Sequence, residues 1–176
     1  MFLELLATIL AGVGGAGVMM LVTKLTGSRL PRWLTPVAAG LAMIGVTISN
    51  EYSWYSRTSA SLPEGMVIAE TVENKAAFRP WTLAFPYVDR FVAVDEPNAR
   101  THDDHPGLVL ADLYFYGRWA TVHKLPVLAD CPGGKRAALA DGIAFNADGS
   151  VTGADWVSSA PDDAVLKALC GGDNAT

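Results

Sequence analysis

The chain has 176 residues, of which 51% are hydrophobic and 18% are charged, and its net charge is −5. Residues 1–50 contain three basic side chains and one acidic side chain, so the rest of the chain carries a net charge of −7. Because nucleic acids are polyanions, this acidic remainder argues against a nucleic-acid partner. The ~120 residues that follow the apolar N-terminal region suit one small folded domain.

Two apolar segments, residues 3–22 and 33–49, open the chain and are joined by a short basic turn. Each has about the length needed to cross a hydrocarbon core of roughly 30 Å. We expect a transmembrane helical hairpin over residues 1–55, a linker over 56–64 and a folded domain over 65–176. Because Glu4 stands where a signal peptide has basic residues, retained helices are favoured over a cleaved signal or a buried soluble hairpin.

The basic residues of the turn, residues 23–32, predict the orientation of the hairpin. Lys24, Arg29 and Arg32 lie in this turn, and short loops rich in Lys and Arg stay on the cytoplasmic side. We therefore expect a bacterial inner-membrane protein with both termini in the periplasm. Aromatic residues that favour membrane interfaces flank the second segment: Trp33, Tyr52, Trp54 and Tyr55.

Small residues are frequent in both apolar segments, and they allow membrane helices to approach closely. The predicted packing positions are Ala11, Gly12, Gly15, Ala16, Ala38, Ala42 and Gly45. Two interpretations stay open: the two helices use these positions only to pack on each other, or part of the surface also receives a helix of a partner membrane protein. Neither segment has a charged residue at mid-depth, which disfavours a proton or ion path.

The chain after residue 64 predicts a mainly antiparallel β domain with a C-terminal helix, so the expected fold class is membrane-anchored α+β. The helix is expected to begin at Ser159 or Asp162. A polar loop is expected over residues 95–106. The expected strands cover residues 65–72, 81–85 and 90–94, two stretches within 108–128, and both sides of a hairpin over 142–156 whose turn is 146–149.

The two cysteines, Cys131 and Cys170, both lie in the expected periplasmic domain. An even number of cysteines in an oxidising compartment favours a disulfide. It would close a loop of about 40 residues and stabilise the domain by roughly 3–4 kcal/mol. Two free buried thiols are the alternative, and they become the better interpretation if the topology is inverted.

Histidine and aspartate residues in the polar loop supply candidate metal ligands. The candidates are His102, Asp104 and His105, with His123 as a further nitrogen donor. Neighbouring side chains of an extended loop point in opposite directions, so adventitious binding or a solvated acidic loop are the competing interpretations. No Gly-x-Ser-x-Gly or Cys-x-x-Cys motif is present, so we name no catalytic residue and expect no cofactor.

Aromatic residues are numerous for a small domain, and aromatic side chains are enriched at protein interfaces. If Phe115 is buried, alternation along a strand predicts that Tyr114 and Tyr116 are exposed. Two explanations for the number of aromatic residues stay open: burial in the core together with membrane contact, or a docking face for a partner. The candidate interface residues are Trp54, Trp81, Tyr114, Tyr116 and Trp119.

Four short motifs carry a resemblance to a known group of proteins: residues 51–57, 62–65, 78–81 and 85–90. Together they resemble two-span inner-membrane proteins of proteobacteria that carry a periplasmic domain. The resemblance covers residues 33–95. It implies the topology described above and implies no activity or site residues.

These observations predict a non-enzymatic accessory or assembly component of a larger inner-membrane complex, docking through its helices and its periplasmic domain. The alternative is a membrane-tethered periplasmic enzyme or metal-handling protein that uses the His/Asp loop. The expected partners are the lipid bilayer and a membrane-protein complex, and the small-molecule ligand stays open. A sensor is disfavoured because only the basic turn would reach the cytoplasm.

Overall fold

A computed structural model describes residues 2–139, 143–146, 148–160 and 162–171. The chain divides into two compact units, Met1–Arg57 and Thr58–Thr176, each with its own internal contacts. The last five residues of the predicted periplasmic domain, and Gly142 and Ala147 of the predicted hairpin, lie outside the described residues.

The first unit contains helix α1 (Phe2–Leu25) and most of helix α2 (Leu34–Ala60). Gly27 and Ser28 reverse the chain between them with φ values of 68° and 59°. Within the described residues, α1 alone is long and apolar enough to cross a membrane. Helix α2 begins with an apolar stretch but continues into the polar residues 50–60. The apolar N-terminal helix is therefore confirmed, whereas the second predicted span stays a prediction.

The second unit is built on a curled antiparallel sheet. Its strands are β1 (Met66–Asn74), β2 (Tyr87–Asp95), β3 (Arg100–His102), β4 (His105–Gly117), β5 (His123–Asp130), β6 (Lys135–Ala138), β7 (Ala144–Phe145), β8 (Val151–Thr152) and β9 (Val157–Ser158). The main strands follow the order β1-β2-β4-β5-β6-β9, and β3 pairs with the first half of β4. A separate pair is formed by β7 and β8.

Helix α4 (Ala164–Cys170) packs on the sheet and completes the core. Alternate residues of β4 point to this face, as expected for a strand with one buried side. The apolar core residues are Val94, Val109, Ala111, Leu113, Val127, Ala129, Val165 and Leu169. The antiparallel sheet and the C-terminal helix predicted from the sequence are thus confirmed.

Two local predictions were wrong. Residues 81–85, expected as a strand, contain the short helix α3 (Trp81–Ala84). Pro80 precedes this helix with a φ of −58°, a backbone angle that suits the start of a helix. The expected loop 95–106 contains β3, whose polar residues are all exposed, so pairing with β4 requires no burial of charge.

The start of α4 also differs from the expected position. The helix is capped by Asp163, whose carboxylate accepts hydrogen bonds from the N–H groups of Val165 and Leu166 at 3.0 and 3.1 Å. Ser159 and Asp162, the two residues predicted as caps, precede it. A carboxylate at the first turn satisfies helix N–H groups that would otherwise have no partner.

Candidate functional site

Helices α1 and α2 approach each other at two glycines of α1. A Cβ atom on Gly12 would lie 2.9 Å from Cγ of Met43, and one on Gly15 would lie 2.7 Å from Cβ of Ala42 and 3.0 Å from the carbonyl oxygen of Ala38. A side chain at Gly15 would meet the backbone of α2, whereas one at Gly12 would require the Met43 side chain to move. The predicted packing positions Gly12, Gly15, Ala38 and Ala42 therefore meet in one seam.

A second pair of glycines lies on the opposite side of α1. With about 3.6 residues per turn, Gly14 and Gly17 face away from Gly12 and Gly15. Added Cβ atoms at Gly14 and Gly17 would have no atom within 4 Å, and the same is true of Gly40 in α2. We call Gly14 and Gly17 the open glycine face. It leaves backbone accessible to another helix.

The other predicted packing positions are less closely engaged. Gly45, expected in the seam, is exposed, and an added Cβ would meet no atom within 4 Å. Ala11 and Ala16 are half-buried. The helix pair thus uses some of its small residues for internal packing and leaves others uncovered within the described chain.

The connection between β1 and β2, residues 75–86, presents four large apolar side chains to solvent. Phe78 is 79% exposed, Phe85 71%, Leu83 59% and Trp81 41%. Isolated exposed apolar residues are ordinary on protein surfaces, but a contiguous group commonly marks an interaction site. Of these four, only Trp81 is among the interface candidates named from the sequence.

A buried hydroxyl organises this connection. Thr82 is 1% exposed, and its Oγ1 accepts a hydrogen bond from the N–H of Ala76 at 2.9 Å and donates to the carbonyl of Arg79 at 2.8 Å. Arg79 also donates to the hydroxyl of Tyr87. These buried hydrogen bonds therefore fix the backbone of the connection whose apolar side chains are exposed.

The turn between β4 and β5, residues 118–122, lies at the same end of the sheet. Arg90 of β2 pairs with Gly117, and the N–H of Arg118 donates to the carbonyl of Asp89 at 2.8 Å. The turn exposes two more apolar side chains, Trp119 and Val122. We define the aromatic end of the sheet as the exposed side chains Phe78, Trp81, Leu83, Phe85, Trp119 and Val122.

The remaining aromatic candidates are less available for contact. Phe115 is exposed, so the condition on which exposed Tyr114 and Tyr116 were expected is not met, and both tyrosines are half-buried. The ring of Tyr116 stacks on Phe91 with centroids 4.7 Å apart. Burial raises the pKa of the Tyr116 hydroxyl. Trp54, in α2, is half-buried.

A polar cleft of about 370 Å³ lies beside β4 and β5. Within it, Nζ of Lys124 lies 2.8 Å from Oδ2 of Asp112 and 5.7 Å from the ring centroid of Tyr114. The hydrogen bond to Asp112 raises the pKa of Lys124. The amine therefore stays protonated and paired, which leaves it unsuited to act as a base or nucleophile.

The structure brings together only part of the predicted metal-ligand set. His102 Nδ1 lies 3.8 Å from Oδ2 of Asp104, and His102 pairs with His105 across the β3–β4 turn. His123 pairs with Phe115, ten residues beyond His105 along β4, or about 33 Å in an extended strand. His123 is thus remote from the loop. No group of three or more His, Cys, Asp or Glu side chains suited to a metal ion occurs within the described ranges.

The predicted cysteine pair is at disulfide distance. The Cα atoms of Cys131 and Cys170 are 5.7 Å apart and the sulfurs are bonded. Cys131 follows the end of β5, and Cys170 is the last residue of α4. The bond therefore ties the C-terminal helix to the strand whose residues it covers.

No protein-family model, curated protein or solved structure matches the chain. The fold itself defines a class: a chain with an N-terminal apolar helix that can cross a membrane and a curled antiparallel sheet domain closed by a C-terminal helix.

Proposed function

We propose that this protein is a non-enzymatic accessory or assembly component of a larger bacterial inner-membrane complex. In this proposal α1 and α2 cross the membrane as a hairpin, the basic turn faces the cytoplasm, and both termini lie in the periplasm. The helix pair and the periplasmic sheet domain both contact the complex, and the helix pair supplies the membrane-embedded contact.

The contrast between the two glycine pairs of α1 carries this proposal. Gly12 and Gly15 are used in contact with α2, whereas Cβ atoms added at the open glycine face, Gly14 and Gly17, would have no atom of α2 within 4 Å. In lipid, helices associate where small residues let backbones approach, because apolar burial alone gives no driving force there. A second small face on α1 therefore supports a role in binding a further transmembrane helix.

The charge of the turn supports the orientation. Lys24, Arg29 and Arg32 lie in or beside the turn between α1 and α2. Short loops rich in Lys and Arg stay on the cytoplasmic side of bacterial membranes, so the turn is placed there in this proposal. A sheet domain in the periplasm would also lie in an oxidising compartment, where a disulfide such as that between Cys131 and Cys170 forms and persists.

Co-purification of the tagged full-length chain from native membranes in mild detergent, with mass spectrometry, tests the proposal. We expect a membrane protein in stoichiometric amounts. The Gly17→Leu variant should reduce its recovery by about tenfold, because the leucine side chain blocks close backbone approach. Gly17→Ala is the matched control, since one added methyl group in open space keeps the face small.

A chain that purifies alone would contradict the proposal. So would equal recovery of the partner with Gly17→Leu and Gly17→Ala, because the open glycine face would then have no part in binding. Neither substitution should disturb the pairing of α1 with α2, which uses the opposite side of α1.

A further inference from the structure

We infer that the aromatic end of the sheet binds the surface of a bilayer containing anionic phospholipid, so that the sheet domain contacts the membrane by this end. The inference rests on the proposed membrane anchoring and adds a second, peripheral contact to it. The ligand is the lipid surface itself: headgroup phosphates for the basic side chains and the upper acyl region for the apolar ones.

The apolar content of the aromatic end fits a membrane interface. Trp81 and Trp119 have the amphipathic rings that favour the headgroup level of a bilayer. Phe78, Leu83 and Phe85 are largely exposed to water in the described chain, and each would gain free energy from entering the acyl boundary. An apolar group of this size is otherwise a liability for a domain in water.

The connection that carries these side chains is ordered before any contact. The buried hydroxyl of Thr82 accepts a hydrogen bond from the N–H of Ala76 and donates one to the carbonyl of Arg79. Arg79 also lies over the ring of Phe78, with its Cζ 5.4 Å from the ring centroid. A preorganised group binds with little further loss of conformational entropy.

The charge of the aromatic end is opposite to that of the domain as a whole. The connection 75–86 has Lys75 and Arg79 and no acidic residue, although the chain after residue 50 carries −7. Arg118 in the second turn and Arg90 in β2 add two cations. Each basic side chain near an anionic lipid surface contributes about 1 kcal/mol of attraction when it lies within a Debye length.

Within the described residues, two carboxylates lie at this end of the sheet, and they offset part of its positive charge. Asp89 is largely buried, accepts a hydrogen bond from Nδ2 of Asn74 at 2.8 Å, and has its Oδ1 3.9 Å from Nε of Arg90. Glu73, near the end of β1, is exposed. The basic side chains Lys75, Arg79, Arg90 and Arg118 outnumber these two carboxylates, so this end keeps a net positive charge that is complementary to phosphate headgroups.

The length of the tether permits the contact. Residues 61–65 connect α2 to β1 and extend to at most about 17 Å. Strand β1 has nine residues, about 30 Å, and the aromatic end lies at its far terminus. The inferred contact therefore requires β1 to lie along the bilayer surface and not to project away from it. Because the domain is tethered, a contact of low intrinsic affinity suffices.

Photo-crosslinking of the full-length chain in vesicles tests the inference. p-Benzoylphenylalanine replaces Phe85 in one variant and Phe145 in the other, which is a matched control because Phe145 is also exposed (52%) but lies in β7. The vesicles contain phosphatidylethanolamine with about a quarter phosphatidylglycerol, or phosphatidylcholine alone. We expect lipid adducts from position 85 to exceed those from position 145 by about tenfold in the anionic vesicles.

A charge variant sharpens the test. Lys75→Glu, in the chain with the crosslinker at position 85, should lower the lipid adduct by at least about fivefold in anionic vesicles, because it replaces an attraction with a repulsion. Vesicles of phosphatidylcholine alone should show a smaller adduct with no effect of Lys75→Glu. Equal lipid adducts from positions 85 and 145 would overturn the inference.

The outcomes separate this inference from the proposed function. Loss of the whole chain from vesicles after an alkaline carbonate wash would overturn the proposed anchoring, and this inference with it. A retained chain without the lipid adduct at position 85 would overturn the inference alone. A single protein adduct from position 85 in native membranes, in place of lipid, would also overturn it and assign the aromatic end to a protein partner.

Discussion

Asp163 stabilises two elements at once. Its Oδ1 accepts hydrogen bonds from the first free N–H groups of α4, those of Val165 and Leu166. Its Oδ2 lies 3.3 Å from Nη2 of Arg136 in β6, and its side chain is largely buried. One carboxylate thus caps the helix and holds it to the sheet that it covers.

Replacement of Asp163 by alanine should therefore lower the free energy of unfolding by about 1–2 kcal/mol, the usual cost of losing a helix cap. Urea unfolding of the detergent-solubilised chain, followed by tryptophan fluorescence, measures the change. Asp162→Ala is the control, because Asp162 is exposed and makes no cap hydrogen bond to α4. Equal losses in the two variants would show that the cap contributes nothing.

At the scale of elements, α4 owes its position to three features of the chain. Val165 and Leu169 are four residues apart, so they share one face of the helix and enter the core together. Asp163 fixes the first turn, and Cys170 fixes the last one by its bond to Cys131. A seven-residue helix has little stability of its own, so these tertiary contacts maintain it.

The disulfide closes a loop with a sequence separation of 39 residues. On the chain-entropy model its removal should reduce the free energy of unfolding by about 3–4 kcal/mol. The Cys131→Ser/Cys170→Ser double variant, compared with the wild-type chain with and without dithiothreitol in urea unfolding, measures this. The reductant should leave the double variant unchanged, and a wild-type chain equally insensitive to it would contradict the prediction.

At the scale of the whole molecule, the proposed topology has a direct test. Ser28, in the basic turn, and Glu64, in the linker before β1, are both exposed and would lie on opposite sides of the membrane. A membrane-impermeant maleimide should label Glu64→Cys in intact spheroplasts and Ser28→Cys only after permeabilisation. The opposite labelling pattern would invert the topology and favour free thiols at Cys131 and Cys170 over the bond.

Much of the architecture could be predicted because it depends on local composition. The apolar run of α1 and the β-branched content of β1 are properties of neighbouring residues, and each identified its element. The error at residues 81–85 has the same origin. Trp81, Leu83 and Phe85 alternate with small residues as in a strand, but the side chain of Thr82 bonds the preceding turn and favours a short helix.

The sequence by itself determined that an apolar helix precedes a small β domain with one candidate cysteine pair. These features depend on the length, the hydropathy and the residue content of the chain, which need no knowledge of tertiary contacts. Only the tertiary structure decided which side chains share a surface. Strand register places the connection 75–86 beside the turn 118–122 and separates His123 from His102 by the length of β4. Helix packing likewise decided which glycines of α1 are covered. Register and packing depend on contacts between residues distant in sequence, which local patterns do not specify.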